Sequence, residues 1–227
     1  MPETTTVSNA KKLMPIGELF SKSFKFYQEH YKKLMLITLI LVLPMVISQI
    51  LPYISSSAAM MLVIFIVSVA SIVIAVMAEI VLVLYIKEKN LNFDIKKAFF
   101  TDSKNKFWSF IWISILVGLV VMGGMILFII PGIYWMICFI FASYILIDQG
   151  KKGWEAAKES KRLVKGNWWP VFGRLALIYI VIFVVQLALM PLVYNAYLYL
   201  IATYILTFIV TPFALVYTYF IYENLKK

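Results

Sequence analysis

Residues 34–54 read LMLITLILVLPMVISQILPYI and contain no charged side chain. An apolar run of about 18 residues or more is long enough to cross the hydrocarbon core of a bilayer as an α-helix. Over the whole chain 63% of the residues are hydrophobic and 14% are charged, whereas an ordinary soluble domain has about 45–50% and about 25%. The sequence therefore predicts an all-α, polytopic membrane protein.

The other apolar blocks set the number of spans. The predicted transmembrane helices cover residues 34–54, 59–86, 108–130, 133–147, 175–194 and 197–222. Pro131-Gly132 separates the third and fourth blocks and predicts a tight turn at the membrane surface, because proline cannot continue a helix and glycine supplies the turn conformation. Pro191 and Asn195 likewise predict a break in the helix between the fifth and sixth blocks. The expected fold is a bundle of six transmembrane helices within residues 34–222.

The distribution of charge predicts the topology. All 21 Lys and Arg residues lie in four segments: residues 1–33, 87–107, 148–174 and 223–227. The connections on the opposite side, Pro52–Ala58, Pro131-Gly132 and Asn195-Ala196, carry no charge. Because positive residues stay on the cytoplasmic side during insertion, we expect a multi-pass protein of the cell membrane with both termini in the cytoplasm.

Three of the basic segments contain amphipathic stretches with a period near 3.6 residues, which is typical of a surface helix. They cover about 15–31, a shorter stretch around 93–99, and 153–165. Each precedes a predicted helical hairpin, so the chain has a possible threefold internal repeat. The basic faces suit anionic lipid headgroups, and a protein partner on the cytoplasmic face is the alternative. The basic stretches are too short and too scattered to favour a nucleic-acid partner.

No motif in the chain indicates catalysis. We find no glycine-rich phosphate loop, nucleophile elbow or HExxH sequence. Cys138 is the single cysteine and His30 the single histidine, which argues against a disulfide framework and against a metal site. The sequence therefore predicts a protein that is not an enzyme and has no cofactor.

Glu79 is the only carboxylate well inside an apolar block. It lies eight residues before Lys87, which corresponds to about 12 Å along a helix. Intramembrane carboxylates are costly and are often functional, so Glu79 is either a functional group or a structural one that is protonated or hydrogen-bonded. The candidate polar partners on the fifth and sixth spans and at the interface are Gln186, Thr207, Thr211 and Arg174.

Two stretches, IPGIY at 130–134 and EAAKESKRLVKGNWWPVF at 155–172, carry a recognisable pattern. The residues that define it are Pro131, Gly132, Ala156, Ala157, Ser160, Lys165, Gly166, Trp168 and Trp169. The pattern resembles a family of six-helix bacterial membrane proteins that includes the membrane domain of some glycerophosphodiester phosphodiesterases and many free-standing relatives. The resemblance implies a six-helix plan and a prokaryotic membrane. It transfers no catalytic residue, because no phosphodiesterase domain accompanies these spans.

Two kinds of function fit these observations. The first is a non-enzymatic scaffold or accessory module of the cytoplasmic membrane that interacts with lipids or envelope proteins. The alternative is a transporter or permease subunit that works with a separate ATPase or another partner. A neighbouring gene for an ATPase, or co-purification with an ATPase, would favour the transport function.

Overall fold

The computed structural model describes residues 13–51 and 57–227, and these residues form helices and no strand. The α-helices are α1 (Ile16–Ile50), α2 (Ala58–Glu88), α3 (Ile95–Lys97), α4 (Ser103–Leu127), α5 (Ile129–Phe139), α6 (Ala142–Gln149), α7 (Gly153–Val164), α8 (Trp168–Ala188) and α9 (Ala196–Lys226). A π-helical turn, Ala98–Asp102, joins α3 to α4, and a 3₁₀ turn, Met190–Tyr194, follows α8.

The prediction of an all-α membrane protein is confirmed. Six helical stretches are long and apolar enough to cross a membrane: Ile16–Ile50, Ala59–Glu88, Ile95–Leu127, Ile129–Gln149, Trp168–Ala188 and Tyr197–Lys226. The predicted connection Pro52–Ala58 lies mostly outside the described residues. The fifth helix begins earlier and ends earlier than predicted, because Trp168–Pro170 form its first turn and Pro191 lies in the 3₁₀ turn.

The amphipathic stretches do not all form separate helices. Residues 15–31 were expected to form a surface helix before the first span, but α1 is one helix from Ile16 to Ile50. Its junction, Tyr31-Lys32-Lys33, contains no residue that ends a helix. Residues 95–127 are likewise helical throughout. Only the third amphipathic helix, α7, is separated from its span, at Gly166, whose φ of 85° ends the helix.

The predicted turn at Pro131-Gly132 is wrong. The chain reverses at Phe128, which is extended (φ −161°, ψ 148°), and both residues lie in the first turn of α5. Proline is tolerated there because the first N–H groups of a helix have no acceptor within it. A Cβ atom on Gly132 would lie 2.9 Å from the backbone N of Met125 and 3.0 Å from its Cα. The glycine therefore permits the close approach of α4 and α5.

The core lies at the end of the bundle where the Lys and Arg residues gather, which we call the basic face. Here α1 packs on α2 through a hydrogen bond between His30 Nδ1 and Tyr85 Oη (2.6 Å), and on α9 through the aromatic pair Phe26 and Phe220. The ends of α2, α6 and α9 supply most of the fully buried side chains. Towards the opposite end the helices expose large apolar side chains, as expected of surfaces that face lipid.

We predict that Gly132→Ala destabilises the α4–α5 hairpin by about 1–3 kcal/mol, because the added methyl group overpacks the contact with Met125. Gly123→Ala in the same hairpin is the control, since its Cβ would meet no atom within 4 Å and alanine is the better helix former. Unfolding of the purified protein by SDS, added to mild detergent, measures both. Equal destabilisation by the two variants would contradict the close approach.

Candidate functional site

The centre of the basic face is a break in the fourth apolar helix. Helix α5 ends at Phe139 and α6 begins at Ala142, so the regular hydrogen-bond pattern is interrupted between them. The hydroxyl of Ser160 on α7 donates to the carbonyl oxygen of Cys138 (2.8 Å) and accepts from the N–H of Phe141 (3.2 Å). One side chain therefore satisfies both backbone groups, which would be costly to leave unpaired in the buried interior.

Helix α7 can reach this break because its inner face is made of small residues. Ala156, Ala157 and Ser160 have no exposed surface, and the helix packs against α4, α5 and α6. Small side chains allow helix backbones to approach closely. The opposite face of α7 carries exposed charged residues, including Glu155 and Lys158. Helix α7 therefore packs on the other helices through its small residues and exposes its charged residues.

The remaining residues of the family-like pattern fix the start of α8. Gly166 supplies the left-handed conformation of the turn, and Lys165 beside it is exposed. Trp168 donates its indole N–H to the carbonyl oxygen of Tyr134 (3.3 Å) and stacks on the Tyr134 ring. Trp169 is largely exposed. These residues attach α7 and α8 to α5.

Four of the five candidate polar residues meet at one cavity of about 400 Å³ between α2, α6, α8 and α9. Its lining includes Glu79, Gln186, Thr207 and Thr211. Gln186 donates to the hydroxyl of Tyr199 (3.0 Å), and Thr207 donates to the carbonyl oxygen of Thr203 (2.8 Å). Within residues 13–51 and 57–227, no hydrogen bond or ion pair reaches the carboxyl group of Glu79.

Arg174, the fifth candidate, lies apart from this cavity. Its guanidinium donates to the carbonyl oxygens of Met14 (2.6 Å) and Pro170 (2.9 Å). The side chain therefore joins the start of α1 to α8. Both acceptors lie near the basic face, one before α1 and one in the first turn of α8, so the guanidinium points away from the cavity.

Two carboxylates that are not among the predicted site residues hold four helices together. Asp148 on α6 accepts from Lys226 (2.6 Å) and from the hydroxyl of Tyr222 (2.7 Å) and pairs with Lys87 (3.3 Å). Glu223 on α9 pairs with Lys22 (3.2 Å) and Lys89 (2.5 Å). We call these contacts the carboxylate clamp. It connects α1, the end of α2, α6 and α9.

A second cavity, of about 440 Å³, opens beside the clamp and is strongly basic. We call it the basic pocket, and its lining comprises Gln149, Lys151, Glu159, Arg162, Leu163, Lys165, Asn167, Leu225 and Lys226. Glu159 pairs with Arg162 (2.5 Å) and Lys151 (3.1 Å). The hydrogen bond from Arg162, together with Lys151, lowers the pKa of Glu159, so this carboxylate is ionised at neutral pH. It offsets only part of the positive charge.

Two groups in the basic pocket have no partner in the part of the chain that the structure describes. The ammonium group of Lys165 makes no ion pair there. Asn167 is only 3% exposed and its side-chain amide forms no hydrogen bond to any described residue. The amide atoms keep some access to solvent, because the fully enclosed unpaired side-chain atoms among the described residues are Thr203 Oγ1 and Tyr217 Oη. The pocket therefore offers a cation and an unpaired amide to an anion.

No group of three or more His, Cys, Asp or Glu side chains suited to a metal ion occurs among the described residues. The chain matches no family model, no curated protein and no solved structure. The family resemblance of residues 130–134 and 155–172 thus rests on those residues alone.

We predict that Ser160→Ala destabilises the protein by roughly 1–3 kcal/mol, because it strands the N–H of Phe141 and the carbonyl of Cys138 in the interior. Ser114→Ala is the control: the Ser114 hydroxyl donates only to the carbonyl of Phe110 in its own helix, which already belongs to the helical pattern. SDS unfolding measures both. A Ser160→Ala effect no larger than that of Ser114→Ala would contradict the bridging role.

Proposed function

We propose that the protein is a non-enzymatic accessory module of the cytoplasmic membrane whose basic face binds the phosphate of an anionic lipid headgroup. The basic pocket is the binding site. The topology that accompanies this proposal places the basic face and both termini in the cytoplasm, on the positive-inside rule. The resemblance to the six-helix bacterial family agrees with this assignment and is part of the proposal.

The observation that carries the proposal is that the amide of Asn167 and the ammonium group of Lys165 line one pocket, and neither bonds to a described residue. A phosphate oxygen accepts hydrogen bonds from both kinds of donor. Lys151, Arg162 and Lys226 add positive charge around it. Because the pocket adjoins the ends of helices that enter the membrane, a lipid headgroup reaches it without leaving the bilayer.

The carboxylate clamp supports the role of a static module. It joins helices from distant parts of the chain through Asp148 and Glu223, each with more than one partner. Networks of this kind hold their elements more firmly than isolated surface pairs do. A fixed arrangement of helices around a lipid site suits a protein that recruits or organises other membrane components.

We predict that Lys165→Gln weakens retention of phosphatidylglycerol about fivefold, since one cation near an anionic surface contributes about 1 kcal/mol. The full-length protein is reconstituted with phosphatidylglycerol and phosphatidylcholine, extracted in mild detergent and examined by native mass spectrometry for bound lipid. Asn167→Ala is expected to act in the same direction. Lys158→Gln, on the exposed face of α7 and outside the lining of the basic pocket, is the control and is expected to keep its bound lipid.

A further arm of this experiment distinguishes lipid from free anion. Inorganic phosphate at millimolar concentration is expected to displace little phosphatidylglycerol, because it lacks the acyl chains that hold the headgroup at the pocket. Equal lipid retention in Lys165→Gln and Lys158→Gln would contradict the site. Full displacement by inorganic phosphate would contradict the lipid as its ligand.

The cavity around Glu79 favours a second candidate function, that of a transport subunit. A carboxylate without a partner among the described residues, together with Gln186, Thr207 and Thr211, offers a polar site within the spanning helices. Such a site suits a proton or a small polar solute. It would work with a separate ATPase or another partner.

Substitutions at Glu79 separate the two candidates. Glu79→Gln keeps the volume and loses the charge and the exchangeable proton, so it abolishes solute or proton flux in proteoliposomes if the protein is a transporter. In the accessory module we expect Glu79→Gln to leave lipid retention unchanged. We expect Glu79→Leu to leave stability against SDS unchanged or higher, because no described group hydrogen-bonds to the carboxyl. A flux that Glu79→Gln removes would establish the transport function.

A further inference from the structure

The tip of the α4–α5 hairpin lies beside the start of α8. A cavity of about 340 Å³ is lined by Ile130, Ile133, Tyr134, Trp168 and Trp169. Within it, the indole N–H of Trp168 donates to the carbonyl oxygen of Tyr134 (3.3 Å). Ile130 follows the reversal at Phe128 by two residues. The tip of the hairpin is therefore fixed next to the tryptophan pair.

The tryptophan pair lies on the basic face. It follows directly after Asn167, which lines the basic pocket together with Gln149 and Lys226. From Trp168, α8 runs to Ala188, a length of about 30 Å at 1.5 Å per residue. The connection between α8 and α9 thus lies at the opposite end of the bundle, roughly one hydrocarbon thickness away. The tip of the α4–α5 hairpin, beside Trp168, therefore lies at the basic face.

The surface that this tip presents is strongly apolar. Residues 126–130, Ile-Leu-Phe-Ile-Ile, are each 71–80% exposed. Trp108, Trp112 and Trp169 are 61–77% exposed. An exposed apolar run such as residues 126–130 marks a surface that meets a membrane or a partner. Trp108 and Trp112 lie near the start of α4 and Trp169 at the start of α8, and tryptophan is enriched at the level of the headgroups. Lys161 on α7 holds its ammonium group 4.6 Å from the centre of the Trp135 ring on α5, and Lys104 at the start of α4 is exposed.

We propose that the α4–α5 hairpin is embedded in the leaflet on the basic face and does not reach the opposite membrane surface. The acyl chains of that leaflet cover the apolar surface of the hairpin. The tryptophans lie at the level of the headgroups, and the lysines lie beyond them. Although Ile95–Leu127 and Ile129–Gln149 are long and apolar enough to span, the contacts of Tyr134 and Ile130 hold the tip beside α8. The hairpin therefore acts as a wedge in one leaflet.

Distances between spin labels test this placement in the full-length protein in lipid nanodiscs. In a Cys138→Ser background, one double-cysteine variant carries spin labels at Ile130 and Lys165, and another carries them at Ile130 and Tyr194. All three positions are exposed. We expect the Ile130–Lys165 distance to be under about 25 Å and the Ile130–Tyr194 distance to be about 30 Å or more, from the helix rise. A hairpin that crosses the membrane reverses this order, and that result would overturn the proposal.

A single label at Leu127 identifies what covers the tip. Relaxation by oxygen, which concentrates in the acyl region, is expected to exceed relaxation by a water-soluble nickel complex. Dominant relaxation by the nickel complex would mean that the tip projects into water, and dipolar broadening between singly labelled copies would mean that a second copy covers it. Either of these results contradicts the leaflet placement.

Discussion

The hydroxyl group of Ser160 completes the hydrogen bonds of a helix to which it does not belong. Without it, the break between α5 and α6 leaves the N–H of Phe141 and the carbonyl of Cys138 unpaired in a buried region. The serine reaches the break only because Ala156 and Ala157 bring α7 close. The position of α7 then fixes the Gly166 turn, the start of α8 and one wall of the basic pocket.

The molecule divides into two parts with different physical character. At the basic face, buried aromatic and aliphatic side chains pack together with the carboxylate clamp, and the helices are held by several kinds of contact at once. Towards the opposite end the helices expose Ile, Leu, Val and Phe and depend on lipid for their cover. The cavity around Glu79 lies between these two parts. The basic pocket and this polar cavity are the two sites on which the proposed lipid-binding and transport functions rest.

Hydropathy predicted the apolar helices, because an apolar run in a membrane has no alternative to helix. The ends of the helices were harder to predict. Lys32-Lys33 marks the polar end of a span, but lysine is a good helix former and α1 continues through it. Pro131 was assigned to a turn, although the first turn of a helix tolerates proline equally well. In both cases the backbone conformation depends on packing that a linear pattern does not contain.

The candidate sites were predictable to a similar degree. Depth along the helices suggested Gln186, Thr207 and Thr211 as neighbours of Glu79, and they line the same cavity. Arg174 was misplaced because a helical side chain points back towards the N-terminus of its helix. That direction takes its guanidinium to Pro170 and Met14 and away from the cavity. Asp148 and Asn167 were not among the predicted site residues. Asp148 finds its partners Lys87, Tyr222 and Lys226 in distant parts of the chain, and Asn167 lines the basic pocket only because α9 packs beside α7.

Hydrogen exchange at the amide of Phe141 tests the central role of Ser160 most directly. The reference is the amide of Ile145, which donates to the carbonyl of Phe141 (2.9 Å) within the same turn of chain. In the unmodified protein in nanodiscs both amides are predicted to be protected, and Ser160→Ala is predicted to accelerate exchange at Phe141 far more than at Ile145. An unprotected Phe141 amide in the unmodified protein, or equal acceleration at both positions, would contradict the account.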